Sequence, residues 1–232
     1  MHVFITGISS GIGKAFLEHF LNEGVELTGI GRTKASIDGT YSFLECDFTD
    51  IASVRKLSVK SKDDELIFIN NAGTIGAIQR VSDQTASDLE EVMTVNAIVP
   101  MLFCQKVIQE NPGKKITLLN ISSGAANRLI PSWAAYCSSK IALDRFSETL
   151  QLEEYEKKAT TRVYSVAPGV VDSKIQEKIR QSSQVNFSSL DNFIELHSKG
   201  ELLDPKIVVN KLVKLISNVE KSQVIYSIKD LD

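Results

Sequence analysis

HVFITGISSGIG (2–13) holds the reading on which the rest of the chain depends. Its first five residues, HVFIT (2–6), are an apolar, β-rich run of the kind that makes a buried strand. From 12 to 22 the spacing changes to that of a helix, with Ile12, Phe16 and Phe20 on one side. Between them lies a turn built on Gly7, Gly11 and Gly13, with Ser9, Ser10 and Ile12 filling the positions between. In such a turn Gly7 permits the sharp reversal after the strand. Gly11 lets the backbone approach a pyrophosphate, and Gly13 lets helix and sheet pack closely. The helix start then offers unpaired N–H groups and the positive end of its dipole to phosphates. The spacing is G-x-x-x-G-x-G rather than the commoner G-x-G-x-x-G, so its place at the first strand–helix junction carries the inference.

Outward from this unit the pattern repeats. Strands are expected at 25–30, 41–46, 65–70, 114–120, 161–167 and 222–227, and helices at about 50–61, 83–109, 134–158 and 205–218. Strands alternating with helices, with nearly continuous Val, Ile and Leu in the strands, imply a parallel sheet covered on both faces. No linker, repeat or low-complexity stretch divides the 232 residues, so a single domain over 1–232 is expected. Two segments break the rhythm. Residues 31–40 are too few for a full crossover helix. Residues 174–203 are polar, with scattered Ile179, Val185, Phe187, Phe193 and Ile194. They read either as a substrate lid or as a loose surface excursion.

Composition excludes several roles. With 43% hydrophobic and 24% charged residues and a net charge of −3, the chain has no basic block for nucleic acid or an anionic membrane. Cys46, Cys104 and Cys137 are far apart and lack ligand-spaced partners, so neither disulfides nor a metal site is expected, and each reads as a small buried apolar residue. Met1 runs directly into the first strand, leaving no room for a signal peptide, and no apolar run approaches a membrane span. The expected location is the cytoplasm.

The chemistry-bearing residues lie at strand ends. After the second strand comes Gly31-Arg32-Thr33, where an acidic residue would bond the 2′-hydroxyl of NAD. A guanidinium there forks onto a 2′-phosphate instead, which favours NADP(H), and Lys34 adds charge. Asn71-Ala72-Gly73 follows the fourth strand, small enough for a nucleotide to lie against the backbone. Asn96 sits inside the 83–109 pattern, a poor place for Asn unless its amide has another task. Ser123 closes the fifth strand, where ligands gather in open α/β sheets. Tyr136 and Lys140 follow at helical i, i+4 spacing, on one face. A positive charge about 5 Å from the phenol is worth roughly 3 kcal/mol at an effective dielectric of 20, or roughly two pKa units. A Tyr–Lys pair is thus a workable acid/base.

Taken together, TGISSGIG, NNAG, Asn96, Ser123, YCSSK and PGVVDS (168–173) resemble the short-chain dehydrogenase/reductase family. NISSGAA and SWAAYCSSK are similar to its branch of sepiapterin and benzil reductases. The resemblance implies a seven-stranded Rossmann-type sheet in the order 3-2-1-4-5-6-7 and a nucleotide across its C-terminal edge. It implies that Asp47 contacts the adenine. Pro168, Gly169 and Val171 would line the nicotinamide end, and Ser173, where the family usually has Thr, would bind the carboxamide. Ser123 would hold the substrate oxygen, Tyr136 would pass the proton, Lys140 would assist it and hold the ribose, and Asn96 would position a water. The family also implies a homodimer or homotetramer through the helices at 83–109 and 134–158.

The expected function is therefore hydride transfer between NADP(H) and a carbonyl or alcohol carbon, most simply reduction of a ketone or vicinal dicarbonyl. Two rivals are a catalytically silent nucleotide-sensing protein and a sugar-nucleotide epimerase or dehydratase. The first has no need of Ser123, Tyr136 and Lys140 together, and the second normally has a longer C-terminal substrate domain. For the substrate, Leu129, Ile130, Pro131 and Trp133 make the approach to Tyr136 apolar, with Arg128 its one charge. With Phe187, Phe193 and Ile194 they favour flat or bulky carbonyl compounds over phosphorylated sugars.

Overall fold

A computed structural model describes residues 1–218 and 223–231. Seven parallel strands, β1 (His2–Thr6), β2 (Glu26–Gly31), β3 (Ser42–Glu45), β4 (Glu65–Asn70), β5 (Lys115–Ile121), β6 (Arg162–Ala167) and β7 (Ile225–Ser227), form one sheet in the order 3-2-1-4-5-6-7. This is the Rossmann-type order expected. β1 pairs with β2 on one side and β4 on the other, so the chain switches direction there and opens a crevice at the C-terminal strand ends.

The apolar strands serve both faces. Val3 and Ile5 point into one core with Phe16, Leu17 and Phe20 of α1 (Gly11–Asn22), while Phe4 points into the other. β4 does the same, with Ile67 and Ile69 on the first side and Leu66 and Phe68 on the second. Successive side chains of a strand alternate faces, so a strand covered on both sides is apolar throughout.

Several expected boundaries move. The helix anticipated at 50–61 is only α2 (Ile51–Lys56), capped by the Asp50 carboxylate. Past Lys56 the backbone finds other partners: Val59 N–H donates to the Glu110 carboxylate at 2.8 Å and Ser61 N–H to the Asn111 amide oxygen at 2.8 Å. The 83–109 helix starts later, where Thr85 and Asp88 make a capping box for α3 (Ala86–Met93). It passes through a π-helical turn, Thr94–Ile98, into α4 (Val99–Glu110). The whole run Ala86–Glu110 has the length and hydropathy of a membrane span, but Val95, Val99, Phe103 and Val107 are buried in the core against the sheet.

The 134–158 pattern becomes α5 (Ala134–Glu156). Residues 31–40 hold no helix, as their length requires. Residues 174–203 fold into α6 (Lys174–Arg180) and α7 (Leu190–Ser198), with Phe187 and Leu190 buried. α8 (Pro205–Ser217) starts on the Asp204 cap. Position 222 of the expected seventh strand lies outside the described residues; the strand observed begins at Ile225.

Candidate active site

The glycine-rich turn has the backbone that its sequence demands. Gly7 and Gly11 have φ of +72° and +55°, in the left-handed region that favours glycine. A Cβ on Gly13 would stand 2.2 Å from the Gly7 carbonyl oxygen and 2.4 Å from the Asn71 Nδ2, so helix and turn touch where only hydrogen fits. A Cβ on Gly11 would meet only the Ser173 Cβ, at 3.6 Å, so the turn faces the loop after β6 across a narrow gap. That loop is pinned from behind: Val171 bridges Leu203, and Gly169 takes φ of +80° against the Leu203 and Ile228 side chains. Pro168 and Val171 are buried, and Ser173 caps α6.

Asn71 has a role that its motif did not reveal. Its amide donates to the carbonyls of Thr6 and Gly7, both at 3.0 Å, and so braces the glycine turn from below. Thr6, missed in the sequence, accepts the N–H groups of Asn71 and Ala72 on its hydroxyl and donates to Ile69 O. A Thr closing an apolar strand looks like a β-propensity choice, so nothing local marked it. Its neighbour Asn70 turns inward and donates to the Asn120 amide oxygen at 2.8 Å, tying β4 to β5.

At the outer end Arg32 and Lys34 are exposed. Asp47 accepts two hydrogen bonds from Thr49, which hold its carboxyl below the usual range, and the charge of Arg32 acts the same way. Lys34 lies over the Tyr41 ring, 5.3 Å from its centroid.

Four of the expected catalytic residues converge at the inner end. The π turn places Asn96 fully buried, its oxygen accepting from Thr74 N–H at 2.8 Å and its amide donating to Thr74 O at 2.8 Å and Ser139 Oγ at 3.2 Å. A polar residue unsuited to a mid-helix is thus committed to a neighbouring loop. A Cβ on Gly73 would lie 3.3 Å from Asn96 Oδ1 and 3.8 Å from Lys140 Nζ, so these three positions share one small space. Lys140 donates to Ile121 O at 2.8 Å, with its Nζ 5.8 Å from the Tyr136 ring centroid. The Ser123 hydroxyl accepts from Ala125 N–H and acts on the Tyr136 phenol as a hydrogen-bond partner.

Burial pushes the Tyr136 phenol above its ordinary value, and the Ser123 hydroxyl offsets only part of this. Burial also brings Lys140 down to about 8. Desolvation penalises both charged forms at once, a cost that a pairwise Coulomb estimate omits.

Beside Tyr136 lies an aromatic cluster. Trp133 meets the Tyr136 ring edge-on at 5.6 Å, stacks on Phe187 at 5.3 Å and touches Phe193 at 5.3 Å. Ile75, Ile78, Ile179 and Leu190 complete it, with Ile130 partly buried against it. Part of the expected lining is wrong: Leu129 is fully exposed, Pro131 is exposed and Ile194 points largely to solvent. Ser132 takes φ of +70° and donates its hydroxyl to Asn186 O, at the point where the chain passes from exposed Pro131 to buried Trp133.

The short chain dehydrogenase family model matches residues 1–184. Over 97% of both chains this protein is 31% identical to a benzil reductase ((S)-benzoin forming) of Bacillus subtilis. It is 32% identical to sepiapterin reductase of Bos taurus over 158 residues, 66% of this chain and 57% of that one. Among solved structures, a short chain dehydrogenases/reductase from Saccharomyces cerevisiae superposes with a TM-score of 0.86 at 24% identity, covering 99% of this chain and 96% of that one. The chain belongs to the short-chain dehydrogenase family, in the branch of the benzil and sepiapterin reductases, and is an oxidoreductase that works with a nicotinamide cofactor.

Proposed function

We propose that this protein is an NADP(H)-dependent carbonyl reductase whose preferred substrates carry a ketone or vicinal dicarbonyl beside an aromatic or cyclic group. The observation that carries this reading is the packing of Trp133, Phe187 and Phe193 against one another, Trp133 stacked on Phe187 and edge-on to the Tyr136 ring. A flat apolar substrate fits such a wall, whereas a sugar phosphate needs cationic anchors. The similarity to benzil reductases points the same way.

For the cofactor, the bare backbone at Gly7, Gly11 and Gly13 supports a binding place along the glycine-rich turn. Gly7, Ser9, Ser10, Gly11, Ile12 and Gly13 would receive the pyrophosphate at the start of α1, whose first turn holds no acidic residue. Arg32 would meet the 2′-phosphate, and Asp47 the adenine. Asn71, Ala72 and Gly73 would support the adenosine half. Pro168, Gly169, Val171 and Ser173 would flank the nicotinamide. Bound there, NADPH supplies the hydride.

The protein's own work is at the oxygen. Ser123 holds the substrate carbonyl oxygen as charge develops on it. Tyr136 donates the proton, and its raised phenol value keeps that proton in place until transfer begins. Lys140 lends positive charge and holds the ribose, while Asn96 orients a water on the path to solvent. Residues 174–203 act as a lid, since Phe187 is buried against the indole of Trp133. Ile141, Leu152 and Tyr155 stand exposed along α5, which supports a homodimer or homotetramer. The three free thiols fit the cytoplasm.

A substrate panel followed by NADPH oxidation tests the reading. Aromatic and cyclic α-diketones should give higher kcat/KM than aliphatic aldehydes or sugar phosphates. The reverse order would overturn it.

A further inference from the structure

Behind the proposed proton donor lies a charged group that the mechanism above does not use. Asp144 falls one helical turn after Lys140 on α5, and both side chains are 5% exposed. A carboxylate so deep in a fold is costly unless something holds it. On β6, Ser165 donates its hydroxyl to the Asp144 carboxylate at 2.6 Å. At the end of β5 the Ile121 carbonyl accepts from Lys140 at 2.8 Å, and the next residue, Ser122, is buried. The ends of two strands thus grip the two opposite charges from the same side.

We propose that Asp144 is a positioning residue: an ionised, buried counter-charge that keeps Lys140 protonated and directed at Ile121 O, beside Tyr136. Among the described residues, Asp144 is the charge acting on Lys140, whose other close neighbours are the Tyr136 phenol and the neutral groups of Ile121, Gly73 and Asn96. Asp144 itself faces Lys140 and Glu148 on its own helix, with the hydroxyls of Ser122 and Ser165 opposite. Burial pushes the Asp144 carboxyl above its ordinary value, and the Ser165 hydroxyl and the Lys140 ammonium offset part of this. For Lys140, burial outweighs the help from Asp144 and leaves the ammonium at about 8, close to working pH. Without the counter-charge it would lose its proton in the neutral range. An opposite charge one helical turn away in a buried site is worth about one pKa unit.

The inference rests on the proposed roles of Tyr136 and Lys140, so two readouts are needed. The first is the pH profile of kcat/KM. Asp144→Asn should move the alkaline limb down by about one pH unit, and Ser165→Ala should move it less in the same direction, because that hydroxyl favours the ionised carboxylate. Asp144→Glu should restore much of the limb. The second is stability against pH, which needs neither cofactor nor turnover. A lysine whose folded value lies below its unfolded one binds fewer protons when folded, so stability rises with pH between the two values. In wild type that rise begins near 8. With the Lys140→Met profile subtracted in each background, it should begin about one unit lower in Asp144→Asn. A moved stability window with an unmoved limb would leave Asp144 as the counter-charge and refute Lys140's catalytic role. An unmoved stability window would overturn the proposal itself. If Asp144→Asn does not fold, Ser165→Ala carries both measurements.

Discussion

The proposed cofactor end and the proposed substrate end of this crevice are built by different means. Around Gly7, Gly11 and Gly13 the surface is backbone, fixed by left-handed φ values at Gly7 and Gly11 and by contacts at Gly7 and Gly13 that tolerate no Cβ. Around Trp133 the surface is large side chains contributed by Ile75 and Ile78, by the segment before α5, and by residues 179–193. The first kind of site depends on what is absent from each residue and is read from one short string. The second depends on which rings meet after folding. The substrate end therefore has freedom to vary that the cofactor end lacks.

The two ends meet at Tyr136, where the largest effect is expected. Tyr136→Phe keeps the ring that packs on Trp133 but removes the transferable proton. Turnover should fall by about 10²- to 10⁴-fold while NADPH affinity barely changes. Near-wild-type turnover in steady-state assays would remove Tyr136 as the proton donor.

At the substrate end, Phe187→Ala opens a hole beneath Trp133. It should cost about 3–5 kcal/mol of unfolding free energy and erase the preference for aromatic diketones, with NADPH affinity retained. Chemical denaturation and the substrate panel measure both. A loss of NADPH binding as large as the loss of substrate would mean that the two ends are not separate.

Gly13→Ala asks the same question from the other side. Its Cβ would strike a carbonyl and an amide that Asn71 and the turn hold rigidly, so nothing flexible can give way. The expected cost is about 3 kcal/mol, shared between stability and cofactor affinity, with substrate preference unchanged in whatever activity remains. Unaltered affinity and midpoint would show that the turn is softer than its geometry implies.

The smallest effect belongs to Arg32, an exposed side chain. Arg32→Ala should weaken NADPH by roughly 10- to 150-fold, the value of a charge-assisted hydrogen bond, and leave NADH nearly untouched. Equal losses by titration calorimetry would deny it a 2′-phosphate contact and sharpen the view that only backbone decides at this end.

How much of this was legible in sequence follows from the same contrast. Nearly continuous apolar runs such as ELIFIN and KITLLN mark strands buried on both faces, because each successive side chain meets a different core. Glycines at 7, 11 and 13, and the i, i+4 pair Tyr136 and Lys140, announce backbone and helix geometry directly. Thr6 stayed hidden because its partners, the backbone of Ile69, Asn71 and Ala72, lie more than sixty positions away. Leu129 and Pro131 read as lining because composition cannot say which way a loop turns; the φ of Ser132 decided that.

The sequence by itself determined the strand–helix alternation, the glycine turn and the chemical identity of the Ser123, Tyr136 and Lys140 set, since each depends on residues close in the chain. Tertiary structure alone decided that Asn96 is held by Thr74 and Ser139, that Asp144 is buried beside Lys140, and that Phe187 stacks on Trp133. It also decided how deeply Tyr136 is buried, which pushes its phenol up, because the cost of burying a charge depends on everything packed around it and on no single spacing.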